Sequence, residues 1–443
     1  MAPGGPGPGA DAEATARPFA SRYAPIPDEA VLLRGATVLD GAGARLDDAD
    51  VYFADGVIRA VGVALDAPAG TRVVEARGKW ITPGIIDVHS HMGNYPVPGA
   101  VAHGDGNEMS GPNTAGVWAD HAVWPQDPAF TTARAGGVTT FQVLPGSANL
   151  FGGRGVTLKN VPARTVQEMV FPGAPHGLKM ACGENPKRVY GARNAAPMTR
   201  MGNVAGYRAA WIAAREYLDK QQKAAAGKGE PPTRDLMLET LAGVLQGEIL
   251  VHNHCYRADE MALMIDLARE FGYHPGTFHH ATEAYKIADL LAEAGTCAAM
   301  WADWWGFKLE AWDAIRENVA IVDAAGACAI VHSDSAVEIQ RLNQEAAKIM
   351  AAANRAGLAV TPEHAIRWLT SNAARSLGIA DRVGVLRPGM AADVVLWSGN
   401  PFSVYAKAEL VFIDGARVHD RGDPSRQHRT DFELGMTGVG GAP

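Results

Sequence analysis

The sequence predicts an α/β protein: a distorted TIM-type (β/α)8 barrel carrying a small β-sandwich domain formed from both chain termini. Three observations predict it. Short apolar strand candidates alternate with helix-period stretches through the middle of the chain, β-rich stretches stand at both ends, and His and Asp residues fall where the central strands end. In parallel α/β proteins those strand ends are the face on which sites are built.

The chain has 443 residues, a length suited to one large barrel with a smaller appended domain. A hydrophobic content of 47% with 20% charged residues supports a large buried core. A net charge of −8 leaves no basic footprint for nucleic acid, and no basic run suits an anionic membrane surface. No stretch approaches the roughly 18 uninterrupted apolar residues of a spanning helix. The expected partners are a small-molecule substrate and, in a homo-oligomer, further copies of the chain.

The opening MAPGGPGPGADAEATARPFAS has no basic segment followed by an apolar one, so residues 1–25 read as a disordered tail and the expected compartment is the cytoplasm. Residues 426–443 read as a second tail. Cys182, Cys255, Cys297 and Cys328 show no CxxC pairing and sit in apolar segments, which predicts reduced core thiols, not disulfides or a zinc cage.

Strands are expected at 31–39, 50–61 and 71–81, with Ala54-Asp55-Gly56 as a hairpin turn. Residues 393–397 and 410–413, followed by Asp414-Gly415, repeat that character. One β domain is therefore expected over 26–83 and 384–425, enclosing a barrel over 84–383. Barrel strands are expected at 85–91, 139–144, 177–182, 248–254, 276–281, 297–304 and 329–334, with an eighth inside 155–170. Helices are expected at 259–271, 284–294 and 337–356. Residues 193–246 form an Ala/Lys/Gln-rich insertion with a weak, mostly exposed helical pattern.

Asp87-Val-His89-Ser-His91 ends the first barrel strand. Alternate strand residues share a side, so His89 and His91 project together, as a zinc-type ion requires of two imidazoles. His252 and His254 repeat the arrangement, and His332 with Asp334 closes the last strand the same way. In Phe278-His279-His280 adjacency implies opposite faces, so only one imidazole is expected to enter the barrel. Recurrence on four strands is hard to explain by core packing. The segment 145–155, rich in backbone amides, is a candidate anion cradle.

Pro83-Gly-Ile-Ile-Asp-Val-His-Ser-His91 resembles the first-strand motif of the amidohydrolase superfamily, an apolar run ending in HxH after Thr-Pro-Gly. The segment from Gly384 to Trp397 resembles that superfamily's return into its small β domain, so the likeness covers about 31–421. The nearest branch is the imidazolonepropionase-like group, which includes dipeptidases acting on Xaa-Pro or other acyl-amino-acid bonds. The resemblance implies metal ligands at His89, His91, His252, His280 and Asp334, with a two-residue register slip making His254 the alternative to His252. Two-metal relatives add a carboxylated lysine or a glutamate as bridge. Lys179 and Glu184 are the two candidates, and Glu184 at the strand exit is preferred.

The implied reaction is hydrolysis of an amide C–N bond with one or two divalent ions, zinc by preference, and Asp334 as the base that takes the proton of water. His254 and His332 are left for outer or carbonyl-polarising roles, with Tyr190 an alternative to His254 for meeting the tetrahedral charge. Lys187, Arg188 and Tyr190 suit a substrate carboxylate, and Trp304 and Trp305 an apolar group, so an N-acyl amino acid or dipeptide-like amide is the expected substrate. The alternative is a deaminase or lactamase of a cyclic amide or amidine. Deaminase relatives carry a glutamate three residues after the strand-five histidine, where this chain has Cys255. A non-catalytic metal-binding barrel is disfavoured, because every expected ligand is present.

Overall fold

A computed structural model of the protein describes residues 19–423. The chain opens with β1 (Val31–Leu39), β2 (Arg45–Ala54), β3 (Val57–Gly62), β4 (Arg72–Glu75) and β5 (Trp80–Pro83). The barrel strands follow: β6 (Ile85–Ser90), β7 (Val138–Val143), β8 (Phe151–Lys159), β9 (Gly177–Ala181), β10 (Leu250–Cys255), β11 (Thr277–His280), β12 (Cys297–Met300) and β13 (Cys328–Val331). β14 (Val394–Trp397), β15 (Ala408–Ile413) and β16 (Ala416–Asp420) return to the first sheet.

That first sheet runs β16-β15-β14-β5-β1-β2-β3, with β4 also paired to β1. The two chain ends meet where β14 pairs antiparallel with β5, Leu396 opposite Ile81. Asp55-Gly56 and Asp414-Gly415 take left-handed φ values of 52°, 74°, 46° and 76° in the β2–β3 and β15–β16 hairpins, as the sequence signal requires. Four strand steps separate β2 from β15, about 19 Å in a flat sheet. The rings of Phe53 on β2 and Phe412 on β15 nevertheless lie 4.9 Å apart, so the sheet folds over onto itself as a sandwich does.

The barrel sheet runs from β6 to β13 in sequence order. Across the seam between its first and last strands, Asp334 N donates to His89 O at 3.0 Å and Ser333 N to Asp87 Oδ1 at 3.2 Å, while the Ser333 hydroxyl also donates to Asp87. One expectation fails here. The eighth strand is Phe151–Lys159 and runs antiparallel to both β7 and β9, not parallel inside 155–170. The connection 144–150 is too short for a crossover, which needs a dozen or more residues, so the chain can only turn back. The candidate anion cradle is thereby divided: its second half is β8, and Pro145 presents a carbonyl, not an amide, to Lys179.

Three more expectations need correcting. Residues 19–25 are not loose, because Ser21 Oγ donates to Val170 O at 2.6 Å and Arg22 N to Gln167 O at 2.8 Å; the rest of the N-terminal tail and all of the C-terminal one lie outside the described residues. The insertion holds the helix Arg200–Ala225, which is mostly exposed or half-buried as expected, but its helical pattern is not weak on the inner face. Tyr207, Trp211, Ala214 and Leu218 are buried there at helical spacing. The cysteines are paired, Cys182 with Cys255 and Cys297 with Cys328. Each pair joins neighbouring parallel strands, Cys182 standing one residue past the end of β9, and the sequence separations of 73 and 31 conceal the contacts. Among the described residues no helix is long and apolar enough to cross a membrane.

Candidate active site

The strand ends of β6, β9, β11 and β13 bring His89, Lys179, His280 and Asp334 together. His91 Nε2 lies 3.0 Å and His89 Nε2 3.4 Å from Asp334 Oδ1, and His280 Nδ1 lies 3.8 Å from Asp334 Oδ2. Lys179 Nζ lies 3.2 Å from His89 Nε2 and donates to Pro145 O at 3.0 Å. Two groups have mutual spacings within 4.8 Å: His89, His280 and His332, and His89, His91 and Asp334. The side chain of Asp334 keeps 24% exposure and that of His91 18%, against 0% and 1% for His89 and His280, so Asp334 and His91 are the open members of the cluster.

The backbone explains how both histidines of β11 turn inward, against the expectation that adjacency would point one of them away. His280 and Ala281 take left-handed φ values of 69° and 40°, so the strand pleat breaks at His280. Its ring lies 5.0 Å from that of His89, while the His279 ring lies 4.7 Å from His89 on the inner side. Asp334 also sits at φ 55°. Non-glycine residues in this region cost about 1–3 kcal/mol each, a cost that clusters at functional sites.

Burial keeps the inner imidazoles neutral. Burial holds His89, His254 and His280 well below the usual histidine range, with nearby positive groups adding to it. Burial also pushes His252 and His332 down to about 3. Burial lowers the Lys179 amine to about 8. At Asp334 burial pushes upward, but the contact with His91 and the positive charge of His91, His332 and Lys179 hold the carboxyl below its ordinary range, a balance that requires a proton or a cation between His91 Nε2 and the carboxylate.

These residues fit a divalent cation. His91 Nδ1 must carry its proton, because its partner at 2.7 Å is the Leu144 carbonyl, which only accepts. In a neutral ring that leaves the Nε2 lone pair facing Asp334 Oδ1 at 3.0 Å, two acceptors in contact. A cation between them resolves the conflict. The buried Nδ1 atoms of His254, His280 and His332 have no hydrogen-bond partner.

The remaining sequence candidates distribute unevenly. His252 sits one layer below the mouth, with Nδ1 3.0 Å from His279 Nε2, whereas the His254 ring lies 4.6 Å from that of His280. Glu184, the preferred bridge from sequence, stands apart from the cluster. Gly183 at φ 80° turns the chain into the helix Glu184–Gly191, and the Glu184 carboxylate faces Lys308 Nζ at 3.7 Å. The hydroxyl of Tyr190, expected to meet substrate, contacts the Gly111 carbonyl and the Asn149 side chain. Arg188 is exposed and Lys187 half-buried. His332 Nε2 accepts from His280 N at 3.2 Å.

Trp304 packs 5.7 Å from Trp301, and Trp305 lies under Arg316, 6.0 Å from ring to guanidinium. The aromatic against the cluster is Trp301, 4.3 Å from His280 and 5.3 Å from His332. Lys308 is the cation that sequence reasoning passed over. Its Nζ lies 4.2 Å over the Tyr256 ring and donates to Asn185 Oδ1 at 3.0 Å, and Asn185 Nδ2 reaches His254 Nε2 at 3.4 Å. The only signal in the sequence was its place in the aromatic run 301–308.

Imidazoles, a buried lysine and one partly open carboxylate at the strand ends of a (β/α)8 barrel define a barrel enzyme of the metal-assisted hydrolase class. The amidohydrolase family profile matches residues 80–421, and the chain belongs to that family. Amidohydrolase tasK of Hapsidospora irregularis is 32% identical over 380 residues, covering 81% of this chain; the chain spans only 38% of that protein's length. An imidazolonepropionase of Mesorhizobium japonicum is 25% identical over 411 residues, covering 86% of this chain and 93% of that one. The crystal structure of an amidohydrolase from Thermotoga maritima superposes with a TM-score of 0.82 at 35% identity, covering 88% of this chain and all of that one. These relatives support the imidazolonepropionase-like branch of the superfamily.

Proposed function

We propose that the protein hydrolyses an amide C–N bond in an N-acyl amino acid or dipeptide-like substrate. The observation that carries this reading is the meeting of His89, His91, His280, Lys179 and Asp334 at the barrel mouth. His89, His91, His280 and Asp334 would hold the metal, with Lys179 rather than Glu184 as the additional ligand, and His254 would take the strand-five place that the motif alone assigns to His252. One or two zinc-like ions bound there supply a water of near-neutral acidity and a polarised scissile carbonyl. Asp334 takes the proton from the attacking water and returns it to the leaving nitrogen, Oδ2 being the oxygen turned away from His91. His332, with its Nδ1 unpaired, is placed to meet charge developing on the carbonyl oxygen. Elemental analysis of the purified protein is expected to give between one and two equivalents of zinc-like metal. A content well below one, without activation by added metal, would remove the site.

The substrate carboxylate is assigned to Lys308, the cation joined to His254 through Asn185, with Lys187 and Arg188 at the rim and Trp301 and Trp304 as the apolar wall. Its placement over Tyr256, which stacks on His280 at 5.1 Å, puts a charge on the substrate side of the cluster. Lys308→Met is expected to lower kcat/KM on an acid substrate about ten- to hundred-fold, the loss of a charge-assisted contact of roughly 1.5–3 kcal/mol. The same variant should leave the methyl ester nearly unaffected, and Lys187→Ala and Arg188→Ala should have smaller effects. Equal treatment of acid and ester by all three variants would favour the neutral cyclic amide instead. A screen of N-acyl amino acids, dipeptides and lactams with the metal-loaded protein tests the substrate class directly.

A further inference from the structure

Beneath the mouth, His89 heads a line of three imidazoles whose other two members the proposed reaction does not use. His89 Nδ1 lies 3.0 Å from His279 Nδ1, and His279 Nε2 lies 3.0 Å from His252 Nδ1. All three side chains are completely buried. An imidazolium shut away from water with no carboxylate along the line would be costly, so the rings of the line are neutral.

A neutral imidazole has one N–H and one lone pair. Two successive hydrogen bonds therefore allow only two proton arrangements along this line. In the first, His89 carries its proton on Nδ1 and donates to His279 Nδ1. His279 then carries its own on Nε2 and donates to His252 Nδ1, and His252 holds its proton on Nε2. In the second, every proton is reversed, and His89 carries its proton on Nε2, facing Asp334 and Lys179. Only the first arrangement leaves the His89 Nε2 lone pair free for a cation.

At the far end of the line the buried polar atoms are unpartnered, so no hydrogen bond there fixes which nitrogen of His252 carries the proton. His252 Nε2 has no hydrogen-bond partner, and neither amide atom of the buried Gln142 has one. Both side chains close on Gly177, where a Cβ would stand 2.6 Å from His252 Cδ2 and 2.8 Å from Gln142 Nε2. Only a glycine there leaves the two groups room beside each other.

We propose that His279 and His252 are positioning residues that hold His89 in its Nδ1–H tautomer, so that occupancy of the mouth by metal and the proton on His252 Nε2 are set together. The inference rests on the metal reading of the site. Outer partners of this kind change metal affinity by about 10- to 100-fold when removed.

The test uses the whole protein and zinc alone. Chelator competition is expected to show zinc binding weakened about 10- to 100-fold in His279→Phe, with substantial recovery in His279→Gln, whose amide can both accept from His89 and donate to His252. Nitrogen-15 spectra of histidine-labelled wild-type protein loaded with zinc are expected to show His89 protonated at Nδ1 and both His279 and His252 at Nε2. This measurement needs no variant and stands if His279→Phe fails to fold. Zinc binding as tight in His279→Phe as in the wild type, or an Nε2–H tautomer at any zinc-bound His89, overturns the inference alone. A wild-type protein that binds no zinc overturns both it and the metal reading.

Discussion

Asp334→Asn is expected to lower kcat by roughly 10²–10⁴-fold, the range over which a positioned proton-transfer group acts. The substitution keeps size and shape but removes the basic oxygen. It also changes the contact with His91, whose Nε2 lone pair faces Asp334 Oδ1 at 3.0 Å. An amide NH2 there donates to that lone pair and competes with a cation for it, so metal content should fall as well. Steady-state kinetics and elemental analysis on the same preparation separate the two consequences. Wild-type turnover by the variant would exclude Asp334 as the base. A binding protein without catalysis would lose metal on this substitution but would have no turnover to lose.

The second large effect is expected at Lys179. Lys179→Met preserves most of the buried volume and removes the amine that touches His89 Nε2 at 3.2 Å. Loss of an outer metal partner costs about 10- to 100-fold, so loss of a bridging side chain should exceed about 100-fold in activity and should release at least one equivalent of metal. Glu184→Gln should lose less than ten-fold, because its carboxylate faces Lys308 at the rim, 3.7 Å away. If the lysine bridges as its carbamate, activity should depend on bicarbonate, and short carboxylic acids should partly rescue Lys179→Ala. Greater loss in Glu184→Gln than in Lys179→Met would restore the assignment preferred from sequence alone. Metal counting in both variants makes that ranking independent of substrate choice.

Several features of the site are legible in the order of residues itself. HxH at the end of β6 and His-Ser-Asp at the end of β13 rest on the two-residue period of a strand, a local property that sequence displays. The hairpins at Asp55-Gly56 and Asp414-Gly415 are legible for the same reason, since the left-handed turn belongs to the dipeptide. The buried face of the helix Arg200–Ala225 is also present in the spacing of Tyr207, Trp211, Ala214 and Leu218, but its Ala/Lys/Gln-rich composition masks it.

The choice between Lys179 and Glu184 is not legible. Both lie within reach of the β9 strand end, and only the left-handed turn at Gly183 carries Glu184 away to Lys308. The inward turn of both His279 and His280 is hidden too. Strand periodicity forbids it, and a positive φ at a non-glycine residue leaves no mark in composition.

The sequence by itself determined the succession of strands and helices, the pairing of both chain ends into one β domain, and the placement of imidazoles and Asp334 at strand ends. Each follows from local periodicity and turn chemistry, which act over a few residues. Tertiary structure alone decided the antiparallel course of β8, the two disulfides, the burial of His252 beneath His254, and the approach of Lys308 to Asn185 and Tyr256. These are contacts between residues tens to hundreds of positions apart. They depend on barrel closure and on which strand lies beside which, and no short window of sequence contains that information.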